Sequence, residues 1–203
     1  MNHDPVLATL TAPPPAEEAT HRRLHDRLTT AAHAQGLLDV AYRTVDSPLG
    51  TLLLAATPQG LVRVAYAAED HDAVLRQLAV RISPRVLRAP DRLDTAARQI
   101  DEYFRKRRTA FDLELDLRLS HGFRRRVLAG LPSIGYGATA SYTAVATAAG
   151  SPKAVRAAGT ACATNPLPIV LPCHRVVRSS GAIGHYIGGA RAKQRLLDLE
   201  STA

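Results

Sequence analysis

The residues with the most chemistry to offer lie in one stretch, Asn165-Pro166-Leu167-Pro168-Ile169-Val170-Leu171-Pro172-Cys173-His174-Arg175-Val176. Its prolines deny it a helix and Ile169-Val170-Leu171 asks to be buried, so the pattern predicts that Cys173 stands at the end of a rigid, mostly apolar, strand-like mount. A free thiol titrates near ~8.5 and is mostly protonated at neutral pH, so a nucleophilic cysteine needs an adjacent base or a positive field. His174 and Arg175 are the candidates. Neighbours along an extended chain point to opposite faces, so His174 would reach the thiol only through a turn or a bridging water. Two plainer readings compete. Cys173 could be a small core residue, and Cys162, Cys173, His174 and His185 could form a metal site, although their spacing lacks the close paired ligands of common zinc sites.

The elements that must position this stretch follow from the patterning. Residues 1–38 open on a proline run, Pro13-Pro14-Pro15, and continue through a helix-compatible stretch, Glu17 to Ala34, that closes at Gly36; they read as an N-terminal extension. From Asp39 the pattern is that of strands: Val40 to Val45, a Ser47-Pro48-Leu49-Gly50 turn, Thr51 to Ala56, a Thr57-Pro58-Gln59-Gly60 turn, and Leu61 to Tyr66, an antiparallel meander. Helical stretches follow at His71 to Val80 and Asp91 to Lys106. Phe111, Leu113, Leu115 and Leu117 alternate with acids as in a strand with one wet face. Residues 39–118 therefore read as an α+β domain and residues 119–203 as a mostly helical one. In the latter, Phe123, Val127, Leu128 and Leu131 share a helix face. A short helix from Tyr142 to Ala149 ends at Gly150, and Ser151-Pro152 predicts the start of a second helix running to about Ala163. Two short helices joined at a glycine suggest a helix-turn-helix.

Charge separates the two halves. The net charge is +8 with 23 Arg and 3 Lys, and residues 119–203 carry ten basic residues against two acids, whereas residues 1–38 sum to −1 and 39–118 to +1. Codon bias explains Arg over Lys but does not strip acids from one half, so the C-terminal segment is the part expected to meet a polyanion such as a nucleic acid backbone. Two cysteines eleven residues apart, with no signal-type pattern in Met1 to Leu10 and no apolar run of membrane-spanning length, predict a reduced, cytoplasmic protein. There is no P-loop or dinucleotide fingerprint, and no cofactor or metal is called for.

Pro172-Cys173-His174-Arg175-Val176, preceded by Asn165-Pro166, resembles the active-site signature of the O6-alkylguanine-DNA alkyltransferases. Ser141-Tyr142, Gly150-x-Pro152-x-Ala154-x-Arg156-Ala157, Ser179-Ser180-Gly181, Gly184, Tyr186, Gly188-Gly189 and Leu196-Leu197-x-x-Glu200 fall at that family's spacing. The resemblance is clear over about residues 121–200 and looser over 39–118. It implies a ribonuclease H-like N-terminal domain and a winged-helix-like C-terminal one. It further implies repair of duplex DNA by one irreversible transfer of the alkyl group from O6 of guanine to the protein, by a monomer bound in the minor groove with little regard to sequence.

By the same resemblance Cys173 is the alkyl acceptor, His174 its base through a water, and Glu200 the carboxylate that orients His174. Asn165 ties the helix-turn-helix to the active-site segment, and Arg156 is the finger that replaces the extruded nucleotide. Tyr142 presses on the target phosphate and bonds the flipped guanine, Tyr186 forms the pocket wall, and the backbone around Cys173 and Val176 reads the guanine amine, with Ser179 beside them. Physics fits these roles. O6 is stacked inside the duplex, so a protein-borne thiol reaches it only after base flipping. Small residues such as Ala154, Ala157, Ala158 and Gly159 let a helix approach DNA closely, with one long polar side chain, Arg156, as a wedge. Ile187 departs from the small hydroxyl residue many relatives carry, which leaves only its backbone amide to meet O6, and Thr160-Ala161-Cys162 departs at the end of the second helix, where Cys162 is expected to fill core space. A cysteine hydrolase using Cys173, His174 and Glu200, and a lesion-binding protein that flags damage without repairing it, are the competing functions.

Overall fold

The Ser47–Gly50 turn forms as its composition asks: Gly50 N–H donates to Ser47 O at 2.9 Å, Leu49 N–H donates to Ser47 Oγ at 3.1 Å, and Gly50 takes φ 93°. It joins β1 (Val40–Val45) to β2 (Leu52–Thr57), and a tight Thr57–Gly60 turn leads into β3 (Gly60–Tyr66). At Gly60 a Cβ would run into the backbone carbonyl of Glu114, so only glycine lets the 111–117 segment lie this close. These details belong to a computed structural model that describes residues 15–201. Residues 1–14, the start of the expected extension, lie outside the described residues.

The chain divides into two compact units, 1–38 and 39–203. In the first, α1 (Pro15–Ala34) ends as expected at Gly36, whose φ of 64° lets Leu37 N–H turn back onto Ala32 O at 2.8 Å. In the second, the sheet order is β3-β2-β1-β4, with β4 at Val86–Arg88. The meander is present, with a bulge between Ala55 and Ala56. The fourth strand was not anticipated: β4 (Val86–Arg88) pairs parallel to β1, and three residues are too few to show a period. Phe111–Leu117 is not a regular strand. It makes one parallel bridge, Leu61 to Leu115, and its alternation breaks at Asp116, which is buried because Thr57 Oγ1 donates to it at 2.6 Å and Arg118 pairs with it. One face of the sheet buries Val40, Leu53, Val62 and Ala65 against Val74 and Leu78 of α2 (His71–Arg81). The second predicted helix starts later than expected, because Pro90–Leu93 forms a 3₁₀ turn before α3 (Asp94–Phe104).

After Leu119 the fold becomes helical. α4 (Gly122–Gly130), α5 (Tyr142–Ala148) and α6 (Val155–Ala163) pack on one another through Val127, Leu128, Ala146 and Ala158. Ser141 caps α5 by accepting from Ala144 N–H at 3.1 Å. Gly150, at φ 77°, closes it with Gly150 N–H to Thr147 O and Ser151 N–H to Ala146 O, both 2.9 Å. Ser151-Pro152 does not open the second helix. Both residues are spent in this closure and in a turn that brings Ala154 N–H to Ser151 O at 2.9 Å, so α6 begins three residues after Pro152 with no side-chain cap. Two short parallel strands, β5 (Ala140–Ser141) and β6 (Val176–Val177), fasten the start of α5 to the end of the active-site segment, and α7 (Gly189–Ser201) closes the unit. Among the described residues no helix is long and apolar enough to cross a membrane.

Candidate active site

The Cys173 mount is a knot of turns rather than a strand. Asn165, wholly buried, organises it: its Oδ1 accepts from Leu167 N–H at 2.9 Å, and its Nδ2 donates to Leu171 O at 2.8 Å and to Cys173 Sγ at 3.1 Å. Pro172, at φ −78° and ψ 61°, makes an inverse γ-turn that brings Cys173 N–H to Leu171 O at 2.7 Å. Ile169 sits at φ 73°, a region a β-branched residue occupies only when its surroundings enforce it, at a strain of roughly 1–3 kcal/mol. Prolines exclude a helix here, as expected. They also remove donors that a strand would need, and the carbonyls go to Asn165 and to local turns instead.

Cys173, His174 and Arg175 form a 3₁₀ turn, so successive side chains fan out about 120° apart instead of alternating. His174 is held by Glu200 on α7, with Nε2 2.9 Å from Oε1. Its other ring nitrogen, Nδ1, is buried and has no hydrogen-bond partner among the described residues. Arg175, expected to lend its charge to the thiol, is committed elsewhere. Its Nε and one terminal nitrogen donate to the two Glu200 oxygens at 2.9 Å each, and the other terminal nitrogen donates to Ile134 O at 2.5 Å. Tyr103 of α3 adds a hydroxyl to Glu200 Oε1 at 2.7 Å and lies 3.5 Å from His174 Nε2. Gly137 N–H reaches Oε2 at 3.3 Å.

The electrostatics follow from this wiring. Burial opposes charge on Glu200, but the donors from His174, Arg175 and Tyr103 outweigh it and bring its pKa down to about 2. As a carboxylate it can only accept, so His174 carries its proton on Nε2 and offers Nδ1 as the basic nitrogen. Burial holds the His174 pKa below its ordinary value against the pull of Glu200, so the ring is neutral at neutral pH. Burial also pushes the Cys173 thiol up to about 11, against the Asn165 donor and the nearby Lys193 charge. Cys173 is 1% exposed, so the resting group is a neutral, shielded thiol.

The other expected site residues lie on two faces. Tyr142, at the start of α5 and half-buried, packs its hydroxyl against the backbone of Gly184 and its ring 5.8 Å from the Lys193 ammonium. Tyr186 is buried, its ring edge-on to His174 with centroids 6.4 Å apart. Val176 is buried, and its carbonyl accepts from Lys193 Nζ at 2.5 Å, leaving one lone pair for another donor. Ile187 is half-buried, while Ser179 is exposed in the 178–182 turn. Arg156 is exposed near the start of α6, and its guanidinium makes no ion pair or hydrogen bond among the described residues. Cys162 is buried, as expected of a core filler, with its thiol pushed up to about 12 by burial.

The family model of the ribonuclease-like domain of 6-O-methylguanine DNA methyltransferase matches residues 40–117, and that of its DNA-binding domain matches residues 122–202. The chain belongs to the 6-O-methylguanine DNA methyltransferase family. The methylated-DNA–protein-cysteine methyltransferase of Mycolicibacterium paratuberculosis is 41% identical over 161 residues, which span 79% of this chain and 92% of that protein. The crystal structure of the Mycobacterium tuberculosis O6-methylguanine methyltransferase matches with a TM-score of 0.71 at 37% identity, over 80% of this chain and 93% of that one. The structure of M. tuberculosis OGT in complex with DNA matches over the same shares with a TM-score of 0.68, also at 37% identity. Within this methyltransferase, reading the sequence missed three residues of the site. Two are Tyr103 and Tyr66, in the N-terminal half, far along the chain from the Cys173 motif. The third is Lys193, which is wholly buried. A lysine at a core position of the α7 pattern, between Ala192 and Leu196, was the available signal.

Proposed function

We infer that this methyltransferase repairs O6-alkylguanine in duplex DNA by transferring the alkyl group once, and irreversibly, to Cys173. The observation that carries the assignment of residues is the single buried turn on which Asn165 holds the Cys173 sulfur while the next residue, His174, is locked onto Glu200. His174 Nδ1, basic and without a hydrogen-bond partner among the described residues, takes the thiol proton through a bridging water. Sγ then attacks the alkyl carbon. The S–C bond forms, the C–O6 bond breaks, its electron pair returns to the purine, and the purine is protonated at N1, so the net reaction exchanges a thiol proton for an alkyl group. The product is a thioether, from which water displaces nothing.

Access to O6 requires the nucleotide to leave the stack. Arg156, exposed on α6 beside Ala157 and Gly159 and unpaired among the described residues, suits a wedge on a helix whose small side chains admit the minor groove. Tyr142 meets the rotated phosphate, Tyr186 and Ile187 wall the pocket, the Val176 carbonyl accepts from the guanine amine, and Ser179 lines the rim. Residues 39–118 serve as the scaffold domain and 119–203 as the DNA-binding transferase domain. The protein acts as a cytoplasmic monomer on DNA of any sequence. Incubation with duplex DNA carrying O6-methylguanine, followed by peptide mass mapping, gives one added methylene equivalent on the Cys173 peptide and unmodified guanine in the DNA. A Cys173 left free while the protein remains bound to the lesion refutes repair.

A further inference from the structure

We propose that Tyr66, at the end of β3 in the N-terminal half of the fold, determines which alkyl groups reach Cys173 by fixing the pocket-wall residue Tyr186. The proposal rests on the alkyl-transfer reading above. Tyr66 and Tyr186 are both buried, their hydroxyls lie 2.8 Å apart, and their rings meet edge to face with centroids 6.0 Å apart at 69°. That contact is the single hydrogen bond of the Tyr186 hydroxyl among the described residues. The Tyr186 ring also meets the His174 imidazole edge-on. The tilt of the wall is therefore set by two contacts, one to the relay and one to Tyr66.

The Tyr66 backbone is itself anchored. Its N–H donates to Glu69 Oε1 at 2.8 Å, and Glu69 in turn is paired with Arg63. The strand that carries Tyr66 is tied to the Cys173 segment by Val64 N–H to Pro166 O at 2.8 Å, and Arg63 donates to the same carbonyl at 3.2 Å. Sheet and active-site segment are thus fastened to each other, and Tyr66 links the sheet to the wall. Its ring also claims the space beside Gly188: a Cβ on Gly188 would lie 2.6–2.9 Å from the Tyr66 ring carbons. The loop that follows the wall residue is bare where Tyr66 presses on it, so the volume at this end of the site is divided between a side chain from the sheet and a glycine from the loop. Burial raises the pKa of both hydroxyls far above neutrality, and proximity to Cys173 raises them further, so the pair stays a neutral hydroxyl–hydroxyl contact throughout the working pH range.

Size discrimination by a packed apolar wall is modest per methylene, on the order of tenfold to a few hundredfold, and it disappears when the wall can retreat. The test compares single-turnover transfer from O6-methylguanine and O6-benzylguanine placed in the same duplex, for the wild type, Tyr66→Phe, Tyr66→Leu, Tyr186→Phe and the Tyr66→Phe/Tyr186→Phe double variant. The readout is the benzyl-to-methyl rate ratio, which a general loss of stability does not move. Tyr66→Leu, which empties the space beside Gly188, is expected to raise the ratio by about tenfold or more. Tyr66→Phe, which keeps the ring and removes the tether, raises it less, and in the Tyr186→Phe background it has no further effect because the tether is already gone. An unchanged ratio in Tyr66→Leu, or a Tyr66→Phe effect that persists undiminished without the Tyr186 hydroxyl, overturns the proposal. Should Tyr66→Leu fail to fold, the Phe pair decides alone. A wild-type chain that leaves both adducts on the DNA refutes alkyl transfer itself, whereas a wild-type chain that repairs while the ratio stays fixed refutes only the role of Tyr66.

Discussion

Replacing Glu200 by glutamine changes one atom and tests the relay most directly. The carboxylate receives His174, Tyr103 and one Arg175 nitrogen on Oε1, and Arg175 Nε and Gly137 N–H on Oε2. An amide that keeps its oxygen at the first position turns its NH2 toward two donors at the second, and it leaves the Arg175 guanidinium, 7% exposed, without a counter-charge. Removing one partner of a buried pair costs about 3–5 kcal/mol. Linkage gives a similar figure: lowering a carboxyl from 4.5 to about 2 corresponds to on the order of 3 kcal/mol, at about 1.4 kcal/mol per unit. The rate should fall as well. Without a carboxylate to demand a proton on Nε2, the His174 tautomer that leaves Nδ1 basic is no longer enforced, and positioned general bases contribute roughly 10²–10⁴-fold. The assay is single-turnover transfer from an O6-methylguanine duplex well below the melting point of the variant, alongside urea unfolding. In a His174→Ala background, Glu200→Gln should cost no further rate. A variant that is less stable yet transfers within about threefold of the wild type shows that Glu200 only holds the fold together, and the relay is wrong.

Arg156→Ala is expected to slow repair of duplex DNA far more than reaction with the free modified base, since the side chain acts on the base stack and not on the thiol; equal losses on both substrates count against the finger. Asn165→Ala strands the Leu167 amide inside the fold, at about 1–3 kcal/mol for the unsatisfied group, leaves the Leu171 carbonyl with the Cys173 N–H alone, and removes the donor that most lowers the Cys173 pKa. The thiol should then titrate above its present value, as read by thiolate absorbance against pH. Stability should decline as pH falls below 6.5, because an unfolded histidine takes up a proton that buried His174 refuses. It should decline again between 4.5 and about 2, where unfolded carboxyls protonate while Glu200 remains ionised; that lower limb should flatten in Glu200→Gln. Urea midpoints across the acid range measure both.

What could be read from the sequence, and what could not, divides along the range of the interactions. The meander, the α1 closure at Gly36 and the α5 closure at Gly150 rest on contacts within a few residues, and each formed where turn chemistry placed it. The α6 start failed for a local reason too: Ser151 has a good capping side chain, but its backbone was already needed to close α5. β4 and the 111–117 segment failed because their pairing partners, β1 and Leu61, lie far away in the chain and a three-residue strand has no pattern of its own. In the site, Cys173, His174, Asn165 and Glu200 were nameable because the motif resembled a known one. The strand-like mount was not, because prolines state only what a segment cannot be. Arg175 was misassigned since adjacency suggests a partner in the chain, whereas the 3₁₀ turn sends it to a carboxylate 25 residues on. Tyr103 reaches Glu200 across 97 residues and Tyr66 reaches Tyr186 across 120, and no periodicity encodes such a meeting.

A cysteine, a histidine and a glutamate in sequence would equally suit a hydrolase, and the geometry separates the two chemistries. A hydrolase must admit water to an acyl-thioester after the first step, so its nucleophile lies open at a cleft and its base bonds the sulfur directly. Here Cys173 is 1% exposed, the hydrogen bond to its Sγ comes from Asn165 and not from His174, and the histidine Nε2 is committed to Glu200. Such burial would stall a second half-reaction. It does not hinder a reaction that has none: a thioether needs no water and offers no leaving group, and the product is as uncharged and apolar as its surroundings. The burial that raises the thiol pKa to about 11 therefore shields the resting cysteine from adventitious oxidation without trapping the product, an arrangement suited to a protein that uses its nucleophile once.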